Sequence, residues 1–363
     1  MSKSFKDFIY LGKRFSELKH SYISASFEDS DEVALAMERN MEVGETNPYR
    51  IEGNYFGDTW ADTLPLTINI VKNPCKYTSQ EARVITREEI REITRWLTSN
   101  HYPAWLEFEY AKTDNNDAKF YRGWFNNIET FVVAGKVYGL TLCFKCTTPF
   151  AYTDTINNPV TPTSAYENFK IINNSDELNS YCYPTIHIHP TTNGYAAICN
   201  LSDCTVLQEG KLTVADNLFN SMVDLCEAYA KSKGYDIRYT GTGTFNVIPI
   251  CEDTAVQFYL VDKFNAHEKK CTAFYDPITK NYKIVEDGFL FLKTSSNLDI
   301  DIDCQRLTIT DSLGRMITYD KLGISDVDHM YWLRYLNGEN NLLLYGNAEF
   351  TFSHRESRKV GES

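Results

Sequence analysis

The sequence predicts a mainly β protein with a small α component. An N-terminal sheet region built around one helix precedes a β-sandwich that carries an inserted α+β subdomain. Three observations predict this. Aromatic residues are 14% of the 363 residues, with 24 Tyr and 21 Phe, and rings suit a pleated, half-buried surface. Short runs that alternate apolar and polar side chains recur along the chain, which is the period of a strand with one wet face. Helical spacing of apolar residues is confined to two segments, near 86–97 and 216–234.

The elements follow in order. Residues 47–58 mix extended runs with turn residues, and residues 64–71 alternate as a strand. Thr86 and Glu89 have the spacing of a capping box, in which each side chain satisfies the other's backbone amide. Ile90, Ile93, Trp96 and Leu97 then fall on one helical face, and Asn100 and Pro103 stop the helix. Residues 104–110, 120–125 and 138–146 alternate again and read as strands. Pro, Asn and Thr cluster at 147–152 and 157–164, which predicts a domain boundary near residue 150.

Beyond that boundary, strands are expected near 167–172, 183–189, 195–199, 298–303, 306–310, 315–319, 341–345 and 348–354. The intervening stretch breaks the pattern. Asp216 can cap a helix with Leu218, Met222, Leu225 and Tyr229 on one face, closed by Gly234 in a left-handed conformation. Strands near 235–240, 245–250, 256–261, 271–275 and 282–286 follow. The expected domains are therefore 1–150, a discontinuous second domain of 151–202 and 296–363, and an insertion over 203–295.

Composition excludes some functions. The formal charge is −13, from 36 basic and 49 acidic residues, so a groove gripping nucleic acid is not expected. Hydrophobic residues at 43% and charged residues at 23% are ordinary for a globular protein. The opening residues 1–7 lack an apolar signal core, and no run of about 18 apolar residues occurs. A chain kept in cytosol would hold its ten cysteines reduced.

Several motifs invite chemistry. In Tyr183-Pro-Thr-Ile-His-Ile-His-Pro190 a strand places His187 and His189 on one face. They could be metal ligands or polar residues on a wet sheet. Zinc needs a third protein ligand and supporting acceptors, and the solvated face is the favoured reading. Asp299, Asp301 and Asp303 line a strand face that could offer oxygen to calcium, yet calcium sites draw on loop carbonyls as well. Cys143/Cys146 and Cys199/Cys204 suggest zinc, but a strand sends positions three apart to opposite faces, so unlinked thiols are expected. Glu107 and Glu109 share a face and could be imagined as a hydrolase pair, although half-exposed strands commonly carry Glu. No phosphate-binding loop, nucleophile elbow or His-Glu-x-x-His helix occurs. No catalytic residue, metal or cofactor is expected.

The order of these features carries a resemblance. A turn region from Arg50 to Gly57 leads into Leu64-Pro-Leu-Thr-Ile68. The helix near 86–97 follows, then the 104–110 strand, Tyr121-Arg-Gly123, and a Cys146-x-x-Pro149-x-Ala151 pattern. This resembles the N-terminal β-sandwich belt domain of phage distal tail (Dit) proteins. Tyr183–Ile186, Ile300-Asp-Ile-Asp-Cys304, the Gly338-Glu-Asn-Asn-Leu stretch and the basic end at His354–Lys359 resemble that family's galectin-like β-sandwich. The likeness covers residues 1–200 and 296–360, while 203–295 exceeds the compact family version. Some members carry inserted carbohydrate-binding modules there.

The resemblance implies a structural hub of the virion tail tip or baseplate rather than an enzyme. A homohexameric ring would join the tail tube to tail-tip, tail-associated and receptor-binding proteins. DNA would pass its lumen without specific binding, no membrane would be involved, and assembly would occur in the host cytoplasm. The alternative is a carbohydrate-binding protein that contacts host cell-wall polysaccharide.

Overall fold

The computed structural model describes residues 7–25, 39–43, 55–60, 64–109, 119–162, 167–178, 180–215, 217–239, 255–264, 267–276, 279–286, 288–324, 327 and 330–359. The chain divides into two compact units, residues 1–154 with 357–363 and residues 155–356. As the sequence predicts, both are mainly β.

The first unit contains β1 (Asp7–Tyr10), β2 (Lys13–Arg14), β3 (Tyr22–Ser24), β4 (Arg39–Val43), β5 (Tyr55–Trp60) and β6 (Pro65–Lys72). Helix α1 (Arg87–Leu97) separates these from β7 (Ala104–Glu109), β8 (Phe120–Val133), β9 (Lys136–Cys146) and β10 (Ala151–Tyr152). The main sheet runs β2-β1-β7-β8-β9-β6-β3, while β4 and β5 form a separate ribbon. Ser357 and Arg358 pair antiparallel with Tyr152 and Ala151, so these two residues return to this unit.

Alternation decides the core here. Leu66, Ile68 and Ile70 on β6 and Leu140, Leu142 and Phe144 on β9 turn inward, each 8% exposed or less. Burying such a side chain contributes about 1.5–3 kcal/mol. The helix begins as expected: Thr86 Oγ1 accepts from the Glu89 amide at 3.3 Å, and Glu89 Oε2 accepts from the Thr86 amide at 2.6 Å. Ile93 and Leu97 enter the core. Trp96 donates its indole N–H to the Tyr10 carbonyl at 3.1 Å and stacks on Phe8, which locks the helix to β1.

The second unit contains β11 (Ile156–Val160), β12 (Glu167–Asn173), β13 (Thr185–Pro190), β14 (Gly194–Asn200) and β15 (Thr205–Lys211). After these come α2 (Leu218–Lys233), β16 (Asp236–Tyr239), β17 (Ala255–Val261), β18 (Glu268–Tyr275), β19 (Asn281–Glu286) and β20 (Phe289–Thr294). Then follow β21 (Ile300–Asp303), β22 (Thr308–Thr310), β23 (Gly338–Tyr345) and β24 (Ala348–His354). Sheets β11-β24-β13-β21-β22 and β12-β23-β14-β20 enclose one core of Ile, Leu and Phe side chains. A third sheet, β15-β19-β18-β17-β16, packs α2 on one face. Its other face, through Ala255, Phe274 and Val285, meets Cys199, Phe289, Phe291 and Leu343 of the sandwich.

Several expectations are corrected by this arrangement. Phe289–Thr294 was expected inside the insertion, yet it pairs with β14 and so belongs to the sandwich. Its sheet is covered on both faces, so β20 reads as a continuous apolar run without alternation. The expected linker at 157–164 contains β11, an edge strand, where Pro159 is tolerated because one side of such a strand makes no ladder. Residues 315–319 form no strand: Met316 makes an isolated bridge to Thr310, and a 3₁₀ turn spans Tyr319–Leu322. Helix α2 is capped by Asn217, whose Oδ1 accepts from the Asn220 amide at 2.7 Å. Asp216 and the strand expected at 245–250 lie outside the described residues, as do Arg50 and most of its turn region. Gly234 does close α2 in the left-handed conformation, with φ 79°.

Candidate functional site

The sequence left open whether the Asp triplet meets the histidine pair. Strands β13 and β21 are antiparallel neighbours, with His187 opposite Asp301 and Thr185 opposite Asp303. His187 Nδ1 donates to Asp301 Oδ1 at 2.7 Å, and His189 Nδ1 donates to Asp299 Oδ1 at 2.6 Å. The alternate residues Ile186, Ile188, Ile300 and Ile302 are fully buried, so packing of the apolar face fixes the register that makes the polar ladder. Each imidazole thus spends one nitrogen on a carboxylate, and both pairs are part-exposed. Among the described residues, no group of three or more His, Cys, Asp or Glu side chains is arranged to hold a metal ion. Asp303 instead accepts from the amides of Gln305 and Arg306 and shapes the turn after β21.

The remaining candidates are also separated or engaged. Cys146 is buried, with its thiol pushed up to about 12 by burial, and Cys143 sits part-exposed one strand position out of phase. Cys199 and Cys204 do meet: their mutual hydrogen bond and burial raise Cys199, while the same bond lowers Cys204. The described cysteines are free thiols. Glu109 pairs with Arg14 at 2.5 Å and Glu107 with Lys119 at 3.6 Å, so both carboxylates are structural partners. Among the described residues, no helix is long and apolar enough to cross a membrane.

Two further groupings were not singled out from sequence. In the first unit Glu89 Oε1 accepts from Lys72 Nζ at 2.8 Å, both side chains being 6% exposed. Burial alone would raise the Glu89 pKa, but the hydrogen bonds from Lys72 and Thr86 outweigh it and hold the carboxyl below its ordinary value. In the second unit Asp203 accepts from the Tyr331 hydroxyl and from Arg334 Nε, each at 2.8 Å. The aromatic density of Tyr331-Trp-Leu-Arg-Tyr335 was the available signal.

The first unit also carries an exposed apolar hairpin tip. Strand β8 pairs with β7 from Phe120 to Gly123, and beyond that only with β9 among the described residues. The β8–β9 hairpin tip presents Val132 and Val133 at 52% and 46% exposure. An exposed strand edge with apolar side chains is suited to pairing with another chain.

Residues 3–148 match the family described as phage tail protein N-terminal domain. None of the curated proteins matches the chain. Among solved structures, the SPP1 Dit protein (gp 19.1) aligns over 97% of this chain and 99% of its own, at 12% identity and a TM-score of 0.46. That protein is described as a paradigm of the hub adsorption apparatus in phages infecting Gram-positive bacteria. The family match therefore covers residues 3–148, within the first unit, and does not extend to residues 155–356.

Proposed function

We propose that the chain is a distal tail (Dit) hub: a homohexameric ring that joins the tail tube to the baseplate or tip proteins and to receptor-binding proteins. The observation that carries the reading is the family match over residues 3–148, which ends within a few residues of the first unit's boundary at Asp154. The ring-forming part is the first unit, and the second unit supplies attachment surface for peripheral partners. The second unit comprises a galectin-like sandwich and its insertion. Closing a ring would cover the exposed Val132 and Val133 of the β8–β9 tip and remove an aggregation hazard. A net charge of −13 suits a lumen that DNA traverses without sticking. The role is structural, with no reaction in it, and assembly takes place in the host cytoplasm before incorporation into the virion.

Light scattering of the purified chain, with negative-stain microscopy of the same sample and of antibody-labelled virions, tests the reading. A sixfold ring in solution, or six copies at the distal tail end, is the expected result. Monomers in solution together with no label at the tail end would sink it.

A further inference from the structure

Cys199 and Cys204 meet where the chain has little freedom. Cys199 is fully buried near the end of β14 in the sandwich, and Cys204 is part-exposed immediately before β15 opens the inserted sheet. Between them the chain reverses: the Asn200 carbonyl accepts from the amides of both Asp203 and Cys204 at 3.0 Å. The fully buried Asn200 side chain donates to the Arg334 carbonyl at 2.8 Å and accepts from the Ser202 amide at 3.1 Å. Asp203, with its side chain 5% exposed, holds both the Tyr331 hydroxyl and the Arg334 guanidinium. The return from the insertion passes the same point. The carbonyl of Gly288, between β19 and β20, accepts from the Asn200 amide at 3.3 Å, and a Cβ on Gly288 would stand 2.6 Å from that of Cys204. Both crossings into the insertion are thus packed around one thiol pair, held there by contacts that do not involve sulfur.

The two thiols have unequal access. A cleft of about 600 Å³ opens between the inserted sheet and the sandwich, within the roughly 300–1,000 Å³ usual for small-molecule sites. Asp203 and Thr205, on either side of Cys204, line it together with Gly288. A small molecule can approach Cys204 from there, whereas Cys199 is fully buried. Their acidities differ in the same sense. The hydrogen bond from Cys199 lowers Cys204 against its own burial, while that bond and burial raise Cys199. Burial also raises Cys143, Cys146, Cys182, Cys226 and Cys304. The thiolate is the attacking species in disulfide exchange, so Cys204 is the thiol that reacts first and Cys199 the one placed to displace what it has bound.

We propose that Cys199 and Cys204 form a thiol–disulfide exchange site for a low-molecular-weight disulfide of the glutathione type, and that their closure staples the neck of the insertion. The Cys204 thiolate attacks one sulfur of the small disulfide, forming a mixed disulfide and releasing one small thiolate. Cys199 then gives up its proton to solvent and attacks the Cys204 sulfur, which expels the second small thiolate. One S–S bond breaks in the reagent and one forms in the protein. The two electrons and two protons lost by the protein thiols end on the two released thiols. The closed ring ties residues 200–203, and with them the anchors of Tyr331 and Arg334. A reducing thiol pool keeps the site open, and an oxidising medium closes it. This inference goes beyond the hub reading and stands without it.

The test exposes the reduced full chain to oxidised glutathione at neutral pH, quenches with N-ethylmaleimide and maps the peptides by mass spectrometry. The expected result is a peptide holding Cys199 and Cys204 that lacks two hydrogens and carries no maleimide. Cys204→Ser should lose that species, and Cys199→Ser should stall as a glutathione adduct on Cys204, with circular dichroism checking that each variant is folded. Hydrogen exchange at the amides of Asp203 and Cys204 should slow ~10-fold or more on oxidation, the effect of closing a short loop. Cys75, an exposed thiol, shows by its own glutathione adduct that the reagent was active. Maleimide on both Cys199 and Cys204 while Cys75 carries glutathione overturns the inference. So does a stable glutathione adduct on Cys204 of the native chain, Cys204 joined to a different cysteine, or exchange at the two amides unchanged in the oxidised chain. Should Cys199→Ser, altered at a buried position, fail to fold, the native chain and Cys204→Ser decide the question by themselves.

Discussion

Replacing Lys72 by Met leaves the buried Glu89 carboxylate, in the first turn of α1, without its lysine and with only the part-exposed His20 imidazole, 3.2 Å away, as a neighbouring basic group. In the native unit the two charges stand 2.8 Å apart with both side chains 6% exposed. At an effective dielectric of about 20 their attraction is about 6 kcal/mol, opposed by a desolvation penalty of several kcal/mol per ion. Removing one partner of such a pair costs about 3–5 kcal/mol. For a unit of this size that is a fall of roughly 6–20 °C in the transition that includes α1. Calorimetry of the full chain, with hydrogen exchange at the α1 amides assigning the transition, reads the effect. Removing both charges together as Lys72→Met with Glu89→Gln recovers much of the loss, because Gln still accepts from the Thr86 amide. The pH dependence adds a sign. The folded-state pKa of Glu89 is lowered, so its stabilisation is present above the unfolded value of about 4.3 and is lost as pH falls through the folded value. A shift below about 2 °C in Lys72→Met, the size expected of an exposed pair, would refute the reasoning.

Other perturbations test other parts of the molecule. Burial pushes the His354 pKa below its ordinary value against the opposing charge of Glu356, so the unfolded chain takes up a proton first and stability falls as pH drops below about 6.5. His354→Phe should flatten the melting temperature between pH 7 and 5, and an unchanged slope would mean another group is responsible. Gly123 sits where a Cβ would overlap the Lys145 carbonyl across the β8–β9 ladder; Gly123→Ala should cost more than ~2 kcal/mol and speed exchange of the β9 amides. Val132→Lys with Val133→Glu at the hairpin tip should abolish oligomers in light scattering while monomer stability stays within ~0.5 kcal/mol; intact oligomers would remove the tip from the interface. His187→Ala with His189→Ala should change stability by no more than about 1 kcal/mol, because both pairs are part-exposed, and should leave any ring formed by the first unit intact.

Local rules settled much of the fold from sequence. The Thr86–Glu89 box, the one-sided face of α1, Gly234 at the end of α2 and the alternation through Ile186 and Ile188 each depend on neighbours within a few residues, so their periods appear in the chain itself. The order of those elements was enough to suggest a phage tail protein. The tertiary structure decided which distant segments meet. Asp299 and Asp301 reach His189 and His187 across more than a hundred residues, and no local pattern encodes that pairing. Phe289–Thr294 could not be placed from sequence, because a strand buried on both faces loses the alternation that reports its environment. The cleft is the extreme case: Tyr183, Asp203, Glu286, and Trp332 with Arg334 converge from four separate segments. Each alone reads as an ordinary aromatic or charged residue, and only packing of the inserted sheet against the sandwich sets them around one space.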